Sequence, residues 1–141
     1  LMGSEQSQLI DYVHESAKED FEDKASKYWP GALTMIIPCS KMETTFITSR
    51  DFTIGLRIPN SYMAQSLMKE TGPLLTSSAN ISGSTGSIKA EGIAFDFPTV
   101  NFLGPVPWEK GSGKASTIIS WEKNRNWRLI REGELLIKDL Y

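Results

Sequence analysis

The sequence predicts an α/β domain with a twisted mixed sheet and surrounding helices. One observation is a stripe of apolar residues at every fourth position near the start of the chain: Leu9, Val13, Ala17, Phe21 and Ala25. A second is a set of short apolar runs bounded by proline or glycine, as buried strands are. The third is the irregular order of these segments, which favours a mixed sheet over a regular repeat. With 141 residues, 40% of them apolar, the chain suits one core and therefore one domain.

The first half of the chain alternates helix and strand signals. The apolar stripe predicts a helix from Ser4, which can cap it, to the Trp29-Pro30-Gly31 corner. A buried strand over 33–37 follows and ends at Pro38, and 46–48 is a short apolar segment. A better strand covers 53–58 and contains Gly55, which marks a bulge or a close backbone approach.

The second half is richer in loops. Asn60 or Ser61 caps a helix to about residue 69, and a short buried strand over 73–76 follows Gly72. Residues 82–87 form a loop, 88–95 a short helix, 100–103 a strand and 104–113 a loop. Strands over 117–121 and 127–130 form a hairpin around 124–126. The apolar tail over 134–141 docks on the domain or pairs with another chain.

Composition excludes several classes of protein. The formal charge of −2 and a pI near 5.5 are not those of a general nucleic-acid binder. Cys39 is the only cysteine, so neither an intrachain disulfide nor a zinc site is expected, and a cytoplasmic location fits best. The sequence predicts neither a signal peptide nor a membrane span. A metal site formed by protein side chains is not predicted either.

Two segments are dense in small hydrogen-bonding side chains. Ser78 and Asn80 follow a predicted strand, and Ser116 and Thr117 begin another. Hydroxyl and amide groups at strand ends can hold phosphate oxygens, which predicts an anion or nucleotide pocket. An ordinary Ser/Asn/Gly turn is the alternative for the first segment. Arg57 lies in an otherwise apolar strand, so its guanidinium needs an anionic ligand, a half-buried salt bridge or an exposed face.

Five segments together resemble the YrdC-like family of threonylcarbamoyl-adenylate synthases, and they occur in the family's order. They are Lys27-Tyr28-Trp29-Pro30-Gly31-Ala32-Leu33-Thr34, Thr53-Ile54-Gly55-Leu56-Arg57-Ile58-Pro59, Ser77-Ser78-Ala79-Asn80-Ile81-Ser82-Gly83, Lys114-Ala115-Ser116-Thr117-Ile118-Ile119 and Leu129-Ile130-Arg131-Glu132-Gly133. The resemblance implies an open α/β fold with a central concave cavity.

The resemblance also implies a reaction and a site. Threonine and bicarbonate form an N-carboxylated threonine, which attacks the α-phosphate of ATP and releases pyrophosphate, and Mg²⁺ acts as counter-ion. The product, threonylcarbamoyl-AMP, serves tRNA modification. Arg57 would be the catalytic residue near threonine and phosphate. The nucleotide would be bound by Ser78, Asn80, Ser116, Thr117 and Arg131.

The family's opening strand and its Lys-x-Arg segment have no counterpart here. We therefore expect a single domain over 1–141 that is N-terminally truncated relative to the family, with weak or no turnover by this chain alone. The alternative function is a non-catalytic protein of the same fold that binds tRNA or double-stranded RNA in translation. Carbamoyl transfer in hydrogenase maturation is a third, weaker alternative. The apolar tail and an open sheet edge suggest a homodimer.

Overall fold

The computed structural model describes residues 1–40, 52–84, 86–109, 111–122 and 126–137. The chain forms two compact units, each of which is considered by itself. The first unit comprises residues 1–75 and 115–141, and the second comprises residues 76–114. The expectation of one truncated domain over 1–141 stays a prediction.

The described part of the first unit contains a four-stranded sheet. Its strands are β1 (Leu33–Pro38), β2 (Thr53–Leu56), β3 (Thr117–Glu122) and β4 (Asn126–Arg131), in the order β2-β1-β3-β4. β1 is antiparallel to β2 and parallel to β3, and β3 is antiparallel to β4. The predicted α/β class with a mixed sheet is confirmed.

The strands agree with the sequence-based prediction, with differences at their ends. β3 and β4 form the predicted hairpin, in which Trp121 faces Trp127, while residues 123–125 of its turn lie outside the described residues. The predicted segment 46–48 also lies outside them. β2 ends at Leu56, and Arg57 beyond it makes a parallel bridge with Met2. The predicted strand over 73–76 is reduced to one bridge between Leu74 and Met2.

Three α-helices lie in the described residues: α1 (Lys18–Tyr28), α2 (Tyr62–Thr71) and α3 (Ala90–Asp96). α2 begins where predicted, because the Ser61 hydroxyl accepts a hydrogen bond from the Ala64 backbone at 3.4 Å. It ends at Thr71, and the next residue, Gly72, has a positive φ of 79°, which glycine adopts without strain.

The prediction of one helix from residue 4 to the Trp29 corner is wrong in its first half. Three short 3-10 turns precede α1, at Gln6–Gln8, Ile10–Tyr12 and Glu15–Ala17. The helix is interrupted because Val13 is extended and pairs with Cys39 in an antiparallel bridge. The backbone N–H of the next residue, His14, donates to the carbonyl of Pro38 at 2.9 Å. This N–H therefore bonds to the end of β1 and not to a carbonyl one turn earlier in a helix.

The core of the first unit lies between these turns, α1 and the sheet. All five residues of the apolar stripe are at most 2% exposed, so that part of the prediction is confirmed. They pack with the inward side chains of β1 and with Ile119 and Trp127. Leu135 and Ile137 of the tail also pack against this core, as expected of a docking tail.

The second unit is loosely packed. None of its described residues is buried, and Phe95 of α3 is 87% exposed. The strand predicted over 100–103 is wrong, because this segment is not paired with any strand of the described residues. It places Phe102 against the ring of Trp108, with centroids 5.8 Å apart. Among the described residues of both units, no helix is long and apolar enough to cross a membrane.

Candidate functional site

Ser116 lies immediately before β3, where its hydroxyl meets a second hydroxyl from the neighbouring strand. β1 and β3 are parallel, so their first residues lie at the same end of the sheet, with Leu33 opposite Thr117. The Oγ of Ser116 is 2.9 Å from the Oγ1 of Thr34. The two side chains are only partly buried, so this hydroxyl pair is accessible at the sheet end.

Arg131 reaches the same place from the end of β4. Its Nε and Nη2 donate to the carbonyl oxygen of Ser116 at 3.1 and 2.8 Å, and Nη2 also lies 3.3 Å from the Ser116 hydroxyl. A β-bulge makes this approach possible, because Ile119 pairs with Leu129 and Ile118 with Arg131, leaving Ile130 as an extra residue. Bulges often re-aim a side chain in this way beside functional sites.

Arg57 brings a second guanidinium to the first unit. Its Nε donates to the carbonyl of Gly31 at 3.0 Å, and the Gly31 backbone donates in turn to Ile58 at 2.9 Å. Burial lowers the pKa of Arg57 below its ordinary value; the charge of Glu134 opposes that shift, and the charge of Arg131 adds to it. The carboxylate of Glu134 therefore acts electrostatically on Arg57, and the predicted alternative of a half-buried ion pair stays a prediction.

Thr117 differs from its neighbour Ser116 because its side chain faces the core. It is 1% exposed, and its hydroxyl donates to the Leu135 carbonyl at 2.6 Å while accepting from the Gly133 backbone at 3.0 Å. The Glu134 backbone adds a hydrogen bond to Ala115 at 2.9 Å. In this structure the Thr117 hydroxyl thus fixes the tail, and its predicted contact with a nucleotide stays a prediction.

Ser78 and Asn80 belong to the second unit. The side chain of Asn80 donates to the carbonyls of Ile81 and Ser84 at 3.1 and 3.0 Å and so organises the turn over 81–84, while Ser78 is exposed. The turn that was the alternative interpretation of this segment is therefore present. Whether the two residues also bind a nucleotide stays a prediction.

The second unit also contains a cavity of about 690 Å³ between the start of α3 and the segments 107–109 and 111–113. Ile88 and Trp108 are among its apolar walls, and none of the six predicted site residues lines it. No cluster of three or more His, Cys, Asp or Glu side chains that could hold a metal ion occurs in the described residues of either unit.

The chemistry of the first unit's site follows from its donors. The guanidinium of Arg131 and the paired hydroxyls of Thr34 and Ser116 lie together and are groups that can orient an anion such as phosphate or carboxylate, and Arg57 adds a second cation to the same unit. No general base is required for that. The fold and this site together define an α/β protein with cationic and hydroxyl donors at one end of its sheet.

The family model for Sua5/YciO/YrdC, described as "Telomere recombination", matches residues 1–133. The chain therefore belongs to the Sua5/YciO/YrdC family, as its motifs predicted.

Individual relatives agree with this assignment. A threonylcarbamoyl-AMP synthase of Bacillus subtilis is 37% identical over 92 residues, which are 64% of this chain and 26% of the relative. The structure of Pyrococcus abyssi Sua5 complexed with L-threonine superposes with a TM-score of 0.74 at 27% identity, covering 94% of this chain and 38% of Sua5. The fold is also that of Escherichia coli YciO, with a TM-score of 0.73 at 24% identity, over 100% of this chain and 68% of YciO.

The curated relatives are longer than this chain. The chain spans 26% of the Bacillus relative and 46% of the synthase from Idiomarina loihiensis. The comparisons thus show the family and the fold of this chain.

Thr34 is the site residue that sequence reasoning missed. Thr34 is the last residue of the first of the five motifs, and the resemblance assigns it no role. A signal was present, because Thr34 is the one polar side chain in the run 33–37. Its partner Ser116 is 82 positions away, and only the parallel register of β1 and β3 brings them together.

Proposed function

We propose that this chain provides the ATP- and threonine-binding site of a threonylcarbamoyl-AMP synthase. The reaction would join L-threonine, bicarbonate and ATP into threonylcarbamoyl-AMP and release pyrophosphate. The observation that carries the proposal is the placement of Arg131 and the Ser116 hydroxyl at one end of the sheet, in a unit that also presents Arg57. The naming of the curated relatives and the threonine complex of Sua5 support the choice of substrate.

The chemistry needs positioning more than proton transfer. Displacement at a phosphate gains mainly from fixed donors that hold the reacting oxygens and spread the developing charge. Arg57 is suited to this task, because a partly desolvated guanidinium interacts more strongly with an anion than one in bulk water does. We assign it the catalytic contact with the threonine-derived carboxylate and the phosphate.

The remaining predicted residues bind the nucleotide in this proposal. Arg131 and Ser116 would contact phosphate oxygens. For Ser78 and Asn80 the proposal of nucleotide contact rests on their motif alone. Thr117 would contribute through the backbone position of Ser116, since its own hydroxyl is engaged by Gly133 and Leu135.

The proposed reaction implies several binding partners. Mg²⁺ would enter as part of the substrate, bound to the phosphate oxygens of ATP, and the cationic and hydroxyl donors described here suit those oxygens. The product would be passed on for modification of tRNA, which places the activity in translation, in the cytoplasm. Assembly as a homodimer is a further part of the proposal, motivated by β4 lying last in the described sheet.

Calorimetric titration of the 141-residue chain with Mg-ATP and with L-threonine tests the proposal. Pyrophosphate release is measured in parallel, with threonine and bicarbonate omitted in turn. Arg131→Gln should weaken ATP binding by about 10- to 100-fold, since charge-assisted hydrogen bonds contribute roughly 1.5 to 3 kcal/mol. Arg128→Gln is the matched control, because Arg128 lies on the same strand but pairs with Glu122 at 2.6 Å.

Binding of ATP that depends on Arg131 and not on Arg128 would support the nucleotide site. Pyrophosphate release that needs both threonine and bicarbonate would establish the reaction for this chain itself. If neither ATP nor threonine binds, or if both arginine variants lose affinity equally, the proposed site is wrong.

A further inference from the structure

We propose that Thr34 is a positioning residue that holds the Ser116 hydroxyl as a hydrogen-bond donor toward the bound anion. The inference rests on the proposed function, because the anion is taken to be the phosphate of ATP. Its geometric basis is the 2.9 Å contact between Thr34 Oγ1 and Ser116 Oγ.

The strand pattern explains why Thr34 is available for this task. In β1 buried and partly buried residues alternate, with Leu33, Met35 and Ile37 in the core. Thr34 therefore points away from the core, from the strand that is paired in parallel with β3. A threonine in this position needs no partner for folding, since its hydroxyl could be solvated at this partly buried end of the strand.

The number of hydrogen bonds that a hydroxyl can make explains how Thr34 would favour Ser116 as a donor. A hydroxyl has one proton to donate and two lone pairs that accept. The Nη2 of Arg131 points to the Ser116 oxygen at 3.3 Å and uses one lone pair. When Thr34 donates to the second lone pair, the proton of Ser116 is left for a ligand oxygen.

The test compares Thr34→Val, which removes the hydroxyl and keeps the shape, with Thr34→Ser, which keeps the hydroxyl. Affinity for Mg-ATP is measured by calorimetry on the full chain. We expect Thr34→Val to bind about five- to tenfold more weakly, as for the loss of one neutral hydrogen bond, and Thr34→Ser to stay within about twofold. Thr71→Val is a control, because the Thr71 hydroxyl bonds within α2.

A double-mutant cycle separates positioning from a merely structural role. In a Ser116→Ala background, Thr34→Val should cause no further loss of affinity, because its effect passes through the Ser116 hydroxyl. Equal losses with and without Ser116, or wild-type affinity in Thr34→Val, would overturn the inference while leaving the proposed function intact.

If the wild-type chain does not bind ATP, the proposed function fails separately. The same variants are then titrated with inorganic pyrophosphate as a plain anion. A loss confined to Thr34→Val would still support the positioning role. Absence of pyrophosphate binding, or equal binding by both Thr34 variants, would overturn it.

Discussion

Gly133 offers a sharp test of how the tail fixes the start of β3. A Cβ added at this residue would lie 2.3 Å from the Ala115 carbonyl oxygen, 2.5 Å from the Ser116 carbonyl carbon and 2.6 Å from the Thr117 nitrogen. All three are backbone atoms, so no side chain can rotate to make room. We predict that Gly133→Ala is strongly destabilising.

The magnitude follows from the displacement that alanine would force. Ordinary van der Waals contact for a Cβ begins near 3.4 Å, so the segment must shift by about 1 Å. A shift of that size would strain or break the hydrogen bonds from Gly133 to Thr117, now 3.0 Å, and from Glu134 to Ala115, now 2.9 Å. Overpacking costs about 1 to 3 kcal/mol and each lost hydrogen bond about 1 kcal/mol, which gives a loss of roughly 3 to 5 kcal/mol.

Urea denaturation followed by tryptophan fluorescence measures this loss as a lower free energy of unfolding. Gly55→Ala is the control, because a Cβ there would only meet the Thr34 methyl at an ordinary 3.7 Å. It should change the free energy of unfolding by less than about 1 kcal/mol. An unfolding midpoint in Gly133→Ala equal to that of Gly55→Ala would refute the steric argument.

Three further sets of contacts are tested by substitution, and two of these tests include a control variant. Thr117→Val should lower the free energy of unfolding by about 2 to 4 kcal/mol in urea, since it leaves the partly buried backbone groups of Gly133 and Leu135 without this partner. Thr117→Ser should recover most of the loss. Arg57→Met should leave that free energy within about 1 kcal/mol, because relief of the buried charge offsets the lost bond to Gly31, yet weaken ATP binding at least tenfold by calorimetry. Trp121→Phe should lower the free energy of unfolding in urea by about 1 to 2 kcal/mol, because it removes the 2.7 Å hydrogen bond to Asp20. Trp108→Phe is the control and should lower it by less than about 0.5 kcal/mol, because the Trp108 indole bonds to an exposed loop.

Local patterns in the sequence were sufficient to predict most strands of the sheet and the helices α2 and α3. β1 and the β3–β4 hairpin were recognisable because each is a short apolar run with a turn or proline beside it. α2 was recognisable from its Ser61 cap and its glycine stop. These signals lie within about ten residues of each other, which is why no knowledge of tertiary contacts was needed.

The long first helix shows where local patterns fail. Spacing by four correctly identified the buried residues, but 3-10 turns can bury the same positions. The deciding contact is the bridge between Val13 and Cys39, which are 26 positions apart. The prediction of a strand over 100–103 was wrong for a different reason, since an apolar run becomes a strand only where a partner strand is present.

The candidate site was predicted in part for a similar reason. Arg57, Ser116 and Arg131 could be chosen from motifs, but the bulge at Ile130 that aims Arg131 at Ser116 has no local signature. The role of Thr34 required the parallel register of two strands far apart in sequence. Register depends on the whole sheet, and so lies beyond what a single window of sequence can specify.

The neighbouring residues Ser116 and Thr117 show how one strand can serve both stability and binding. Successive side chains in a strand point to opposite faces, so one hydroxyl must face the core when the other faces the site. Thr117 is buried with both hydrogen bonds made within the chain, whereas Ser116 stays partly exposed beside Arg131. To contact a ligand, the Thr117 hydroxyl would have to break its hydrogen bonds to Gly133 and Leu135. The free energy required would be similar to the loss of stability expected for Thr117→Val. Substitutions at Ser116 should therefore change anion affinity with little loss of stability, and substitutions at Thr117 should do the reverse.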